Sequence, residues 1–301
     1  MLPKDVVEKY MKAGRIASEV RKEARSLVRE GAPLLSICEE VEKLIQDKGG
    51  SPAFPCNVCV NEVAAHYSSP PGDKSIIPKG SLVKLDIGVH VDGYIADTAT
   101  TVSLNPELEP MVQAVDEALR QAVKAVAPGV RTNSIGETVE KTVQKFGFRP
   151  IWNLSGHQMT RFVLHTGKSI PNVRGFGIEK LREDEVYAIE PFLTTRTAKG
   201  AVVGIEAEVY IHRFLKERRL RTEEARRMLS MIKSSYRSLP FSKRWLISAK
   251  NIESFDEAFH ELVEQRCIMG YPVLVEQTGQ LVAQAEHTVI VMGNNCVVTT
   301  L

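Results

Sequence analysis

One segment of this chain occurs twice, and no other feature narrows the fold as far. Residues 31–52 laid on residues 129–150 give ten identities in 22 positions, among them Gly31/Gly129, Ser36/Ser134, Val41/Val139, Gln46/Gln144, Gly49/Gly147 and Pro52/Pro150. Roughly one or two would arise by chance, and the 98-residue offset is too long for a solenoid repeat. Each copy carries apolar residues at helical spacing (Ile37, Val41, Leu44 and Ile45 in the first) and ends on glycine. Each also follows a longer amphipathic stretch, over 4–29 and 106–127. Two related halves, about 1–105 and 106–301, predict an α+β domain with a pseudo-twofold axis and a site on the seam between the halves. A chain of 301 residues suffices for one such domain.

Between the copies, residues 82–104 read LVKLDIGVHVDGYIADTATTVSL, two alternating β-branched runs joined by Asp92-Gly93. Asp-Gly between such runs is a strong hairpin signal. With those two as the loop, partner numbers sum to 185. Asp86 then lies opposite Ala99, and Asp97 is diagonal to Asp86 on the same face. Diagonal neighbours stand about 7–8 Å apart, and two bare carboxylates there repel unless a positive species sits between them.

Further strands are expected over 156–164, 185–193, 271–277 and 280–292, each with a polar residue where a core strand prefers an apolar one. Counted with the hairpin, the out-of-pattern residues are Asp86, Asp97, His157, Glu190 and Glu286. Four buried carboxylates are untenable without about four compensating positive charges, which two divalent cations supply. An oxygen-rich set with one imidazole suits Co2+, Mn2+, Fe2+ or Zn2+. Two such ions share a water and lower its pKa toward 7, which is hydrolytic chemistry.

At these residues the chain resembles a known family. The segments LDIGVHVDGYIADTATTVSL, SGHQMTRFVLHTGKSIPNV, YAIEPF and AEHTVIV are similar to the metal-ligand segments of the type 2 methionine aminopeptidases, archaeal-like members of metallopeptidase family M24. The resemblance covers essentially the whole chain. It implies the pita-bread fold, a central antiparallel sheet flanked by helices, with a helical insert at 207–269. It implies a dinuclear hydrolase that removes the N-terminal methionine from nascent proteins and peptides when residue two is small, through a metal-bridged hydroxide. By motif, Asp86 would hold one metal, Asp97 and Glu286 would bridge both, and His157 with Glu190 would hold the other. Glu190 would also move the proton of the attacking water, with His66 and His165 as active-site histidines; Phe54 and Leu164 would line the methionine pocket. Two ions, four carboxylates and one hydroxide leave about −1, which favours a substrate α-ammonium. The competing expectations are a prolidase or aminopeptidase P, which uses the same ligand types, and a non-enzymic pita-bread protein that binds the ribosome or RNA.

Composition bears on partners and compartment. Residues 213–244 hold 11 Lys/Arg against 3 Glu, a local +8 in a chain whose total is +2. That basic insert could dock a ribosome, although a solvated helical face explains it as well. Five cysteines, an odd number, fit free thiols in a reducing compartment, and Cys56 with Cys59 lack the second pair of a zinc site. With no run approaching 18 apolar residues, no membrane association is expected. The expectation is a cytoplasmic monomer.

Overall fold

The computed structural model of the chain describes residues 2–175, 179–248 and 254–301. The repeat is visible in the backbone. Helix Leu34–Asp47 runs into the short strand Ser51–Pro52, and helix Thr132–Lys145 runs into Arg149–Pro150. The matched glycines share left-handed backbones: Gly31 and Gly129 at φ 76° and 84°, Gly49 and Gly147 at 78° and 82°. That conformation strains any residue with a Cβ, which accounts for their recurrence. The Gly31 amide donates to Ile77 and that of Gly129 to Leu181, and single bridges at Pro33–Ile76 and Arg131–Lys180 repeat the contact.

Each half has its own core. Helices Lys4–Ala24 and Leu34–Asp47 bury Ala13, Ala17, Val20, Ile37 and Val41 against Val83, Leu85, Ile87 and Val89 of the hairpin. Helices Glu109–Lys124 and Thr132–Lys145 bury Met111, Val115, Ala118, Ile135 and Val139 against Tyr187, Ile189, Val289 and Val291. Burying an aliphatic side chain contributes about 1.5–3 kcal/mol, so each half is held by a stripe of such residues.

The hairpin pairs as the loop demands, with Asp86 opposite Ala99, Gly88 opposite Asp97 and Val91 opposite Tyr94. Asp92 and Gly93 both take positive φ, 52° and 83°, as a type I′ turn requires. At Gly93 there is a second constraint, because a Cβ there would lie 2.3 Å from the Phe162 ring.

The expected antiparallel strands flanked by helices are present, hydrogen-bonded among the described residues into four sheets. At the seam, side chains replace most of the backbone ladder. The Thr98 hydroxyl donates to the Glu286 carbonyl, that of Thr101 to Gln284, and that of Thr288 to Asp97; the Glu286 amide donates directly to Ala99.

Two strand expectations change. The strand expected over 156–164 ends at Met159, because Phe162 takes φ 59° and folds the chain back onto the hairpin tip. A 13-residue strand, Val202–Phe214, pairs with Ile268–Glu276. It occupies the start of the 207–269 span, so the helices lie further in, at Glu223–Tyr236, Lys243–Ser248 and Phe255–Glu264. These close over Met228, Ile232, Phe241 and Leu262 as a separate small core.

A buried ion pair joins this insert to the first half. Arg244 donates through two nitrogens to Glu42, at 2.8 and 2.9 Å, and the Trp245 indole donates to the same carboxylate. Removing one partner of a buried pair costs about 3–5 kcal/mol, so Arg244→Ala is expected to destabilise by that order in equilibrium denaturation. Arg226→Ala, which breaks an exposed pair with Glu223, should cost less than about 1 kcal/mol. Equal effects of the two would contradict this assignment.

Candidate metal centre

The hairpin and the seam bring all five out-of-pattern residues to one place. Asp86 and Asp97 arrive on adjacent hairpin strands, His157 on Ser155–Met159, Glu190 just past Val186–Ile189, and Glu286 between Val282–Gln284 and His287–Met292. Ligand atoms of Asp97, His157 and Glu286 lie within 4.8 Å of one another. His157 Nε2 is 3.6 Å from Asp97 Oδ2 and 3.4 Å from Glu190 Oε1. Gln284 Nε2 donates to Asp86 Oδ2 at 3.4 Å.

The donor set fits divalent cations. Oδ1 of Asp86, Oδ1 of Asp97 and both carboxylate oxygens of Glu286 are buried without a hydrogen-bond partner, whereas buried polar atoms in folded proteins nearly always have one. Burial raises the Asp86 pKa to about 7, and burial, then repulsion from the neighbouring carboxylates, raises those of Asp97, Glu190 and Glu286 well above the ordinary range. Burial lowers the pKa of His157 well below 6.5, so the imidazole is neutral, the form that binds metal.

A pH dependence follows for the metal-free protein. Its carboxyls hold protons that the unfolded chain releases from about pH 4 upward, so stability falls as pH rises from there through the raised folded-state values, about 7 for Asp86. Bound cations remove the repulsion. The gain in Tm on adding metal is therefore expected to be larger near pH 8 than near pH 5.5, as read by thermal melts with and without chelator. A gain independent of pH would argue against a four-carboxylate site.

A cavity of about 350 Å³ opens beside these ligands, lined by Phe54, His66, Leu164, His165, Tyr271 and Leu274 among others. Phe54 and Leu164 are buried at its wall, and a Cβ on Gly88 would lie 2.2 Å from the Phe54 ring. His66 sits at φ 68° and is held twice: its amide donates to Asn57 Oδ1 at 2.7 Å, and its Nδ1 donates to the Pro272 carbonyl at 3.1 Å. A carbonyl only accepts, so His66 Nε2 faces the cavity side without a proton in the neutral ring. Burial lowers the His66 pKa, keeping the ring neutral. The ring of His165 stacks tilted on His157 with centroids 4.2 Å apart. The surrounding wall, then the nearby His66 and Arg213, lower its pKa.

Sequence reasoning missed Asn57 and Tyr271. Tyr271 stands edge-on to His66, with ring centroids 5.5 Å apart, and 6.4 Å from His165. Neither carries a sequence signal, since an Asn and a Tyr in extended segments are unremarkable. Cys56 and Cys59, in contrast, are buried in the core away from the cavity, and Cys38 Sγ donates to the Cys56 carbonyl.

Residues 8–213 match the model of metallopeptidase family M24. A methionine aminopeptidase of Methanothermobacter thermautotrophicus is 46% identical over 298 residues, 98% of this chain and 99% of the relative. Among solved structures, a thermophilic Arx1 aligns with a TM-score of 0.84 at 18% identity, over 99% of this chain and 91% of the other. A methionine aminopeptidase of Thermotoga maritima aligns at 0.72 and 20% identity, over 99% and 98%. The two structural likenesses bear on the fold alone.

Proposed function

Because the chain belongs to the methionine aminopeptidases of metallopeptidase family M24, we propose that it removes the N-terminal methionine from nascent chains and peptides through a site for two divalent metal ions. The observation that carries this reading is the convergence of four carboxylates and one neutral imidazole, with several carboxylate oxygens left unpartnered, on the wall of a cavity open to the surface. Asp86, Asp97, His157, Glu190 and Glu286 would hold the metal. Bound there, divalent ions supply Lewis acidity toward the scissile carbonyl and acidify water.

The protein's own groups do the rest. Glu190 takes the proton of the attacking water and returns it to the leaving nitrogen. The two histidines divide the remaining work. His66 Nε2, an acceptor in the tautomer that Pro272 imposes, receives the N–H of residue two. His165 has no ring hydrogen bond among the described residues and is free to donate to the carbonyl oxygen as charge develops. Phe54 and Leu164 close around the methionine side chain. Uncompensated carboxylate charge attracts the substrate's α-ammonium, which favours a free N-terminus.

Incubating the metal-loaded protein with Met-Gly and X-Pro peptides tests the reading. Release of methionine from Met-Gly supports it; preferential cleavage before proline would assign a prolidase instead.

The ribosome remains a partner to propose, on a smaller surface than composition suggests. In the basic insert, Arg226 and Arg227 pair with Glu223, Arg221 with Glu264, Arg244 with Glu42, and Lys233 with Glu217. Among the described residues, Lys216, Arg218, Arg219 and Arg237 are exposed without a carboxylate partner; Arg237 lies over the Phe162 ring, and the other three would meet ribosomal phosphates. No described helix is long and apolar enough to cross a membrane.

A further inference from the structure

Just beyond the residues that line the cavity, one strand carries a charge that the reaction itself does not require. Strands Val202–Phe214 and Ile268–Glu276 place Ile211 directly opposite Tyr271, and both line the cavity. Arg213, two residues beyond Ile211 and opposite Met269, shares their face and is diagonal to Tyr271. The Arg213 charge is near enough to oppose the burial that raises the Tyr271 pKa and to add to the burial that lowers that of His165. Arg213 is half-buried, yet among the described residues no carboxylate pairs with it. Arg221, Arg226, Arg227 and Arg244, further along the same segment, have one, and Arg218, Arg219 and Arg237, which do not, are exposed to solvent, unlike Arg213. A guanidinium has five N–H donors in a fork that matches a carboxylate.

The position of this cation along the cleft suggests what it meets. From His157 at the metal site the rings of His165 and Tyr271 follow at centroid steps of 4.2 and 6.4 Å. An extended peptide advances about 3.3 Å per residue. With the methionine carbonyl at the ligands and residue two beside the histidines, the third or fourth residue reaches Tyr271 and Arg213.

We infer that Arg213 is a specificity-determining residue that binds a carboxylate carried by the substrate at its third or fourth position, either an acidic side chain or the terminal carboxylate of a short peptide. This inference rests on the aminopeptidase reading and refines it. Arg213 touches only the substrate's downstream segment, so its contribution belongs mainly in KM.

The test compares Met-Ala-Asp, Met-Ala-Asn and Met-Ala-Lys sequences in longer peptides with amidated C-termini, and Met-Ala-Ala with a free or an amidated end. Wild-type protein should prefer Asp over Asn, and Asn over Lys, each by about 3–10-fold in kcat/KM, with the preference shrinking at high salt. A preference confined to free-ended Met-Ala-Ala would identify the terminal carboxylate as the source. In Arg213→Met the Asp-to-Asn ratio should fall to near one, while Arg213→Lys retains part of it. Equal cleavage of all peptides by wild-type protein would overturn the inference and leave the aminopeptidase reading standing. So would an Arg213→Met variant slowed on every peptide in the same proportion. Failure to release methionine from any of them would overturn both.

Discussion

Asp97→Asn is expected to abolish peptide hydrolysis and divalent-metal loading together. Asp97 is almost fully buried, its Oδ1 has no hydrogen-bond partner, and its Oδ2 faces His157 Nε2 at 3.6 Å. The amide is nearly isosteric but removes one of four negative charges and turns an NH2 group toward positions meant for cations. Loss of a charged ligand costs several kcal/mol of transition-state stabilisation, and each 1.36 kcal/mol is tenfold, so kcat/KM should fall by at least about 10³-fold. The fold should survive. What ties Asp97 to the second half is its backbone, whose N–H donates to the Thr288 hydroxyl and whose carbonyl accepts from it, and both bonds are indifferent to the substitution. Without metal, the variant should even melt above metal-free wild-type protein, since it buries one carboxylate fewer. Elemental analysis, steady-state kinetics and a thermal melt on the same preparation read all three effects. Near-normal turnover with two metals bound would dismiss Asp97 as a bridging ligand.

Discrimination at residue two of the substrate should be nearly as large. His66 cannot swing away, because Asn57 holds its amide and Pro272 its ring, while Tyr271 stands against its edge. The opposite histidine, His165, is stacked on His157. A cavity of about 350 Å³ must take the methionine side chain and whatever residue two projects between these walls. Peptides beginning Met-Gly, Met-Ala and Met-Ser should be cut well, and Met-Thr and Met-Val tolerated. Met-Lys and Met-Phe should fall by about 10²–10³-fold in kcat/KM, since a clash is felt in the transition state for the chemical step. A panel varying only this residue decides the matter: comparable cleavage of Met-Lys and Met-Ala would refute steric exclusion by the two histidines.

Local features of the chain were legible because short-range geometry governs them. A two-residue Asp-Gly loop leaves one register for the strands beside it, so the placement of Asp86 opposite Ala99 could be read before any tertiary contact was known, and the structure has it so. The repeat could be read for a related reason: Gly31 and Gly129, Gly49 and Gly147 hold backbones that only glycine adopts without strain. The Val202–Phe214 strand was not legible. Its alternation is broken by register shifts near Val209, most of its length is only half-buried or exposed, and its partner lies beyond the whole insert.

By itself, then, the sequence determined the two related halves, the hairpin with its diagonal aspartates, and the residue types of a hard-metal site, all of which depend on spacings of a few residues or on direct comparison of segments. Tertiary structure alone decided how the second half meets the first. The threonine bonds that join Thr98 to Glu286, Thr101 to Gln284 and Thr288 to Asp97 link residues 183 to 191 positions apart, and no local periodicity encodes such a partner. Those bonds set Glu286 against Asp97, while the backbone of Pro272 fixes the tautomer of His66 from 206 residues away. Chemistry at the seam depends on distances of a few ångströms between groups that only the packing of the two halves brings together.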